Sequence, residues 1–389
     1  MSLKKYSCMP CARMVICYHG AFYRDLAVLD FSTCGHGLYN YGHLSRLSSA
    51  PEIGPIYTTH LTEVDIVLGD FSRLDRAVSE LKERGYKHIL LMPSSLGSVL
   101  GFDLESAATE LSAKYGVEIL FTEAGLNDDF YVGEERVLSA FAKRVIGGKR
   151  SVRKGSFAVI GGGFTHNARI INSSVSELAE KTFGLTCVFD NLNAENLEEW
   201  ENCLSAEFIL TTSLSARGAA EQLKSAYGVP YLYFNPLGKS AEDEMLGQIA
   251  ALTGKSFSVE QDKTYNYAAM QFKNIVKTVQ AEIVCYLSVD RLRALRGFFS
   301  EFGIKAAYFC SHKESGETFV EINDFIEKYV CGNDALIISY DAVSNYAKRF
   351  VELECIGQDY KLLTPLKKPL IGKAGGYRLM ELISEQLFR

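Results

Sequence analysis

The sequence predicts an α/β fold of three successive units, each a parallel sheet flanked by helices. Three observations carry that expectation. Short apolar runs of strand length alternate with amphipathic runs of about three helical turns along most of the chain, the pattern of parallel strands joined by right-handed crossovers. A basic, glycine-containing stretch, GGKRSVRKG over residues 147–155, interrupts the alternation, which then restarts. The chain has 389 residues, more than the roughly 250–300 at which single cores stop growing.

The first unit, with the N-terminal segment, is expected over residues 1–150. Residues 64–70, 88–95 and 117–123 read as strands, and 74–85, 104–116 and 131–146 as helices. The second unit, 151–258, carries strands over 156–160, 186–191, 207–212 and 230–234 with helices over 168–183, 197–203, 215–227 and 241–253. The third, 259–389, opens on a helix over 267–280. Strands over 282–288, 305–311 and 335–340, and helices over 291–302, 317–329 and 377–388, complete it. Each unit is thus Rossmann-like. Ligands of open parallel sheets sit beyond the carboxyl ends of the strands, which directs attention to residues 69–70, 93–95, 161–163, 211–213 and 235–236.

Composition narrows the function classes. The chain is 47% hydrophobic and 23% charged, with 41 Lys+Arg against 47 Asp+Glu and a formal charge of −6. That balance argues against a nucleic-acid binder, which presents a basic face. Cys8, Arg13 and His19 interrupt the residues after Lys4 and Lys5, so no secretory h-region forms. No run approaches the roughly 18 apolar residues of a membrane span. A cytoplasmic protein with reduced thiols and no membrane partner is the expectation.

Four of the ten cysteines fall in the first 34 residues: Cys8 and Cys11 in a C-x-x-C pair, then Cys17, then Cys34, with His19, His36 and His43 nearby. Thiolates suit soft metals and iron–sulfur clusters, and a cubane usually takes four. A redox dithiol is the competing reading, but that motif follows a strand and opens a helix. A zinc site would need a second C-x-x-C or a histidine pair, and buried inert thiols are common. Cys187, Cys285 and Cys310 sit within apolar strands, where packing explains them; Cys203, Cys331 and Cys355 are scattered.

The order and spacing of these segments resemble the nitrogenase component 1 superfamily, which includes the nitrogenase molybdenum–iron protein subunits, their cofactor-assembly scaffolds and the dark-operative protochlorophyllide reductase subunits. Cys8-Met9-Pro10 resembles the segment of that family's first cluster cysteine, and Thr33-Cys34-Gly35-His36-Gly37 the segment of the second, 26 positions on. Residues 57–69, YTTHLTEVDIVLG, resemble its threonine–glutamate strand, and residues 93–103, PSSLGSVLGFD, its T-T-C-x-x-x-(I/V)-G-D-D element. Residues 224–231 with Asn235 and Pro236, and then 252–255, resemble its second-domain stretch and helix. The third cluster cysteine of the family falls on Ser95 here, so Cys8, Cys34, Cys11 and Ser95 become the implied cofactor-binding set, with Cys17 a further alternative to Cys11. Either two thiolates from each of two subunits surround an interfacial 4Fe–4S cluster, or one chain supplies three or four ligands.

The same resemblance implies what is missing. The cysteine that anchors the nitrogenase molybdenum cofactor falls at about Thr212, and no histidine follows His312. No such cofactor, and no dinitrogen reduction, is expected. Residues 161–163, GGG, followed by Phe164, Thr165 and His166, invite a nucleotide reading with Asp190 as the ribose ligand, but they do not match G-x-G-x-x-G; a tight turn or the wall of a substrate cavity fits better. No P-loop sequence is present.

The resemblance therefore implies an oxidoreductase component, a homodimer or a pair with a paralogous second subunit. It would take electrons from an ATP-dependent iron protein and pass them through the cluster to a small-molecule substrate, one option being a tetrapyrrole-like molecule. Two other readings stand beside it: a scaffold or carrier for metal-cofactor assembly, and a small-molecule-binding α/β protein without a cluster.

Overall fold

The computed structural model describes residues 9–35, 56–93, 101–125, 128–163, 166–314, 316–354 and 370–388, with the side chains of 166 and 167 left aside. Its architecture is three four-stranded parallel sheets. The first joins β1 (Leu26–Phe31), β2 (Ile56–Thr58), β3 (His88–Pro93) and β4 (Glu118–Phe121). The second joins β5 (Ser156–Ile160), β6 (Thr186–Asp190), β7 (Phe208–Thr211) and β8 (Tyr231–Tyr233). The third joins β9 (Ile283–Leu287), β10 (Ala307–Cys310), β11 (Leu336–Tyr340) and β12 (Arg349–Glu354). In every sheet the second strand lies outside the first, and the third and fourth extend the other side. Chain direction of winding therefore reverses between the first and third strands of each sheet, at β1/β3, β5/β7 and β9/β11. Loops leave that point on opposite faces and open a crevice there.

The helices that matter below are α1 (Ala12–Gly20), α2 (Glu63–Leu68), α3 (Ser72–Glu83), α4 (Leu104–Tyr115), α5 (Phe130–Arg144), α6 (His166–Phe183), α7 (Arg217–Tyr227), α8 (Lys239–Thr253), α9 (Lys263–Val279), α10 (Val289–Phe302), α11 (Ile322–Phe325) and α12 (Gly372–Leu387). A 3-10 helix covers Leu197–Ser205.

Four expectations are corrected. Residues 64–70 form no strand: Thr62 and Asp65 close a capping box, α2 follows, and Gly69 ends it in the left-handed region at φ 64°. A local cap outweighs the apolar run, and Val64, Val67 and Leu68 are left 63%, 82% and 72% exposed. The strand of this region lies upstream, at β2. Nor do all four N-terminal cysteines precede the first strand: β1, LAVLDF, is wholly buried, follows Cys17 and ends three residues before Cys34. Buried on both faces, it lacks the polar alternation that marks a strand. The helix expected over 317–329 is short, α11 passing into a π-helical turn over Ile326–Val330. Finally, β12 adds a strand where none was expected.

The units share much of their interior. The largest apolar cluster includes Leu90, Phe141, Trp200, Phe298 and Ile338, drawn from all three. Trp200 Nε1 donates to Tyr23 Oη at 2.8 Å, and Tyr23 donates in turn to the Asn191 carbonyl at 3.0 Å. Helices α1 and α5 touch so closely at Gly133 that a Cβ there would overlap the Ala12 backbone. The stretch over 147–155 is fastened down: Gly147 N–H donates to Tyr227 Oη, Arg150 to the Tyr227 carbonyl, both at 2.7 Å, and Arg153 N–H to the Ser205 carbonyl at 2.8 Å.

Candidate functional site

The switch points of the second and third sheets face one another across the first unit's α5. Between them lies a cavity of about 40 Å³, lined by Gly162 and Gly163 after β5, Thr212 and Ser213 after β7, Ser288 and Asp290 after β9, and Tyr340 at the end of β11. Phe130, Tyr131 and Glu134 of α5 close one wall, Arg291 and Glu354 another. At roughly 10–15 Å³ per water centre, the space suits two to four waters or the polar end of a ligand.

Asp290 is a buried carboxylate of this cavity. It sits in the first turn of α10, where the helix N-terminus favours negative charge. Leu214 N–H donates to it at 2.9 Å, Ser213 Oγ at 3.0 Å and Tyr233 Oη at 2.8 Å. Burial nevertheless outweighs these donors and raises its carboxyl to about 6. Glu134 accepts from Ser215 Oγ at 2.6 Å and from the Gly163 N–H, and lies 3.2 Å from His19 Nε2. Arg291 Nε donates to Glu354 at 3.0 Å and Arg291 Nη1 to Asn235 Oδ1 at 3.4 Å. Burial holds the Glu354 carboxyl above its usual range despite that guanidinium.

Tyr131 adds a phenol whose buried Oη has no hydrogen-bond partner among the described residues. Its ring stacks on His312 at 4.1 Å and 7°. Burial drives the His312 imidazole down to about 4 and the neighbouring Cys310 thiol up to about 12, so both are neutral near pH 7. The cavity thus combines a carboxyl able to carry a proton at mildly acid pH with an unsatisfied hydroxyl, and a neutral imidazole backs the Tyr131 ring. Chemically, it can bind a small polar group and hand it a proton.

The glycine loop after β5 serves this wall. Gly161 N–H donates to Asn191 Oδ1 at 2.7 Å, and a Cβ on Gly162 would collide with Ser215 Oγ and the Glu134 carboxylate. Asp190 accepts from Asn172 and Asn193 at 2.7 and 2.6 Å. Amides and carboxylate that a dinucleotide would require are already engaged internally.

The sequence-predicted ligands lie at the first unit. Cys8 and Ser95 fall outside the described residues, as do His36 and His43. Cys34 is an exposed free thiol just beyond β1, at the switch point of the first sheet. Cys11 is an exposed free thiol too, in extended conformation (φ −91°, ψ 165°) at the N-cap of α1, and its backbone bridges to Asp129. Cys17 belongs to the core: it is fully buried, its Sγ lies 3.4 Å from Met92 Sδ, and burial and then Asp30 push its thiol up. Only the first two of these three present accessible sulfur. Cys285 and Cys310 are buried and Cys187 half-buried within their strands, as packing required.

Sequence reasoning missed Glu134, Asp290, Arg291 and Glu354. Two signals were available. Glu134 lies on the same helical stripe as Phe130, Tyr131, Val137 and Phe141, a charge where an apolar residue belongs. Asp290 follows a strand end at the third sheet.

Comparison with known proteins bears on the same residues. The sequence model of the family "Nitrogenase component 1 type Oxidoreductase" matches residues 18–349, a span that includes Cys34 and residue 95 and begins after Cys8 and Cys11. Two solved structures of nitrogenase Cp1 share the fold. The one at pH 6.5 is 17% identical with a TM-score of 0.73, the match covering 100% of this chain and 94% of that one. The one at pH 5 is 14% identical with a TM-score of 0.68, covering 100% and 90%. No curated protein sequence matches the chain.

Proposed function

The chain belongs to the nitrogenase component 1 type oxidoreductase family, and on that premise we propose that it is an electron-accepting component holding an iron–sulfur cluster and reducing a small molecule other than dinitrogen. One pairing carries the reading: an accessible thiol, Cys34, stands at the switch point of the first sheet, while an ionisable cavity lies at the switch points of the other two.

The residues fit a cluster in part. Cys11 and Cys34 are accessible free thiols, and Cys8, with Ser95 in the family's third position, extends the set. A 4Fe–4S cluster shared with a second subunit, identical or paralogous, fits a chain with so few thiols here. When bound, the cluster supplies single electrons at a potential set by thiolate ligation and burial. This chain's own residues do the rest: Asp290 holds a proton within the cavity, Tyr131 offers its free hydroxyl, and Arg291 neutralises Glu354 beside them.

The donor set does not fit a nitrogenase-type molybdenum cofactor. Thr212, where the family's anchoring cysteine falls, is buried and donates its hydroxyl to Asn172 Oδ1 at 2.6 Å, and no histidine follows residue 312. The electron donor would be an ATP-dependent iron protein, consistent with a chain that has no P-loop of its own. No helix among the described residues is long and apolar enough to cross a membrane.

The test is anaerobic purification followed by iron analysis. Iron-containing protein whose broad absorbance bleaches on reduction supports the reading, and colourless protein after anaerobic reconstitution sinks it. Adding a reduced iron protein with ATP then separates the two roles: substrate-dependent electron uptake marks a reductase, transfer of metal to an acceptor protein marks an assembly scaffold.

A further inference from the structure

At the opposite, N-terminal ends of the strands, the first and second units meet at an open groove of about 840 Å³. Asp25, just before β1, His88, which opens β3, and Glu198, in the 3-10 helix of the second unit, each turn one ligand atom into it. These three atoms lie within 4.8 Å of one another. We propose that they bind a divalent cation of the zinc class, which clamps the two units together.

The histidine carries the argument. His88 is 7% exposed, and its Nδ1 lies 2.8 Å from Glu118 Oε2, which Arg144 Nε holds at 2.9 Å from the other side. A carboxylate at that distance fixes Nδ1 as the protonated nitrogen. In the neutral ring, Nε2 is then a lone pair, and it faces the Glu198 carboxylate at 3.5 Å. In that neutral form two acceptors face each other across the gap, which either a proton on the ring, favoured by its hydrogen bond to Glu118, or a bound cation would relieve. A protonated ring would draw the carboxylate in to about 2.7–2.9 Å. Two ligands of a tetrahedral zinc, each about 2.1 Å from the metal, stand roughly 3.4 Å apart. The observed spacing is the second kind.

The surroundings agree. A histidine ligand almost always donates its other nitrogen to a carboxylate that fixes its tautomer, and Glu118 occupies that place. Asp25 is itself oriented, accepting from the Leu197 N–H at 2.6 Å and the Glu198 N–H at 3.3 Å, so the second unit's helix is tied to the first whether or not metal is bound. The groove leaves the fourth position open to water.

Cobalt(II) titration of the full, chelator-stripped chain under anaerobic conditions tests this. Sulfur ligation gives cobalt an intense thiolate charge-transfer band and a nitrogen–oxygen site gives only ligand-field bands, so the N-terminal thiols do not obscure the outcome. One equivalent of cobalt without thiolate charge transfer is expected. Glu198→Gln, at a side chain 61% exposed, should weaken it at least tenfold without unfolding the protein, and Glu118→Gln by about 10–100-fold through the ring's orientation. Zinc should raise the melting temperature of the parent chain more than that of Glu198→Gln. Absence of a nitrogen–oxygen cobalt site, or one indifferent to Glu198→Gln, would overturn the proposal.

Discussion

Tyr233 and Asp290 join the second sheet to the third unit: the phenol at the end of β8 donates to the carboxylate in the first turn of α10 at 2.8 Å. Asp290 is buried and Tyr233 half-buried in the assembled chain, and the charged form of Asp290 is held there against the cost of desolvation.

That cost gives the stability a pH dependence. The folded carboxyl sits near 6, above its ordinary 3.8, so folding favours the protonated form. The stabilisation is fully present below about pH 4 and is lost as pH rises through about 6, amounting to about 3 kcal/mol over the window. Asp290→Asn should flatten this part of the profile. Urea unfolding at pH 5 and pH 7.5 reads it, and an unchanged pH slope in the variant would contradict the assignment.

Trp200→Phe should destabilise by about 2–4 kcal/mol. It removes a buried hydrogen bond to Tyr23 and leaves a void against Phe141 and Phe189. Chemical denaturation midpoints at constant slope would measure it.

Gly162→Ala places a methyl group against Ser215 Oγ and the Glu134 carboxylate. The wall of the cavity must shift, at a cost of about 1–3 kcal/mol. A variant as stable as the parent would show that the wall is softer than its hydrogen bonds imply.

Among the cysteines, Cys34→Ala and Cys8→Ala should each abolish iron binding after anaerobic reconstitution, whereas Cys285→Ala, in the buried interior of β9, should retain it. Iron per chain is the readout, and full retention in the Cys34 variant refutes the ligand assignment.

Much of the fold was legible in the sequence because amphipathic helices and apolar strands leave periodic marks. The second unit carried them most clearly: its β5 was expected over 156–160 and is found there. β1 was hidden because a strand buried on both faces has no period-two pattern. α2 was misread because four apolar residues within six resemble a strand unless the Thr62 cap is weighed. The family emerged from the order of short motifs. The cavity did not, since Glu134, Asp290 and Arg291 approach one another only when separate units assemble.

The apolar cluster common to the three units has a thermodynamic corollary. Sheets with separate cores could melt one after another, each with its own transition and its own protection against hydrogen exchange. Here Trp200 of the second unit and Phe141 of the first belong to one interior with Phe298 of the third. No sheet can open without exposing its neighbours' apolar surface, so loosening is expected to propagate as a single cooperative event.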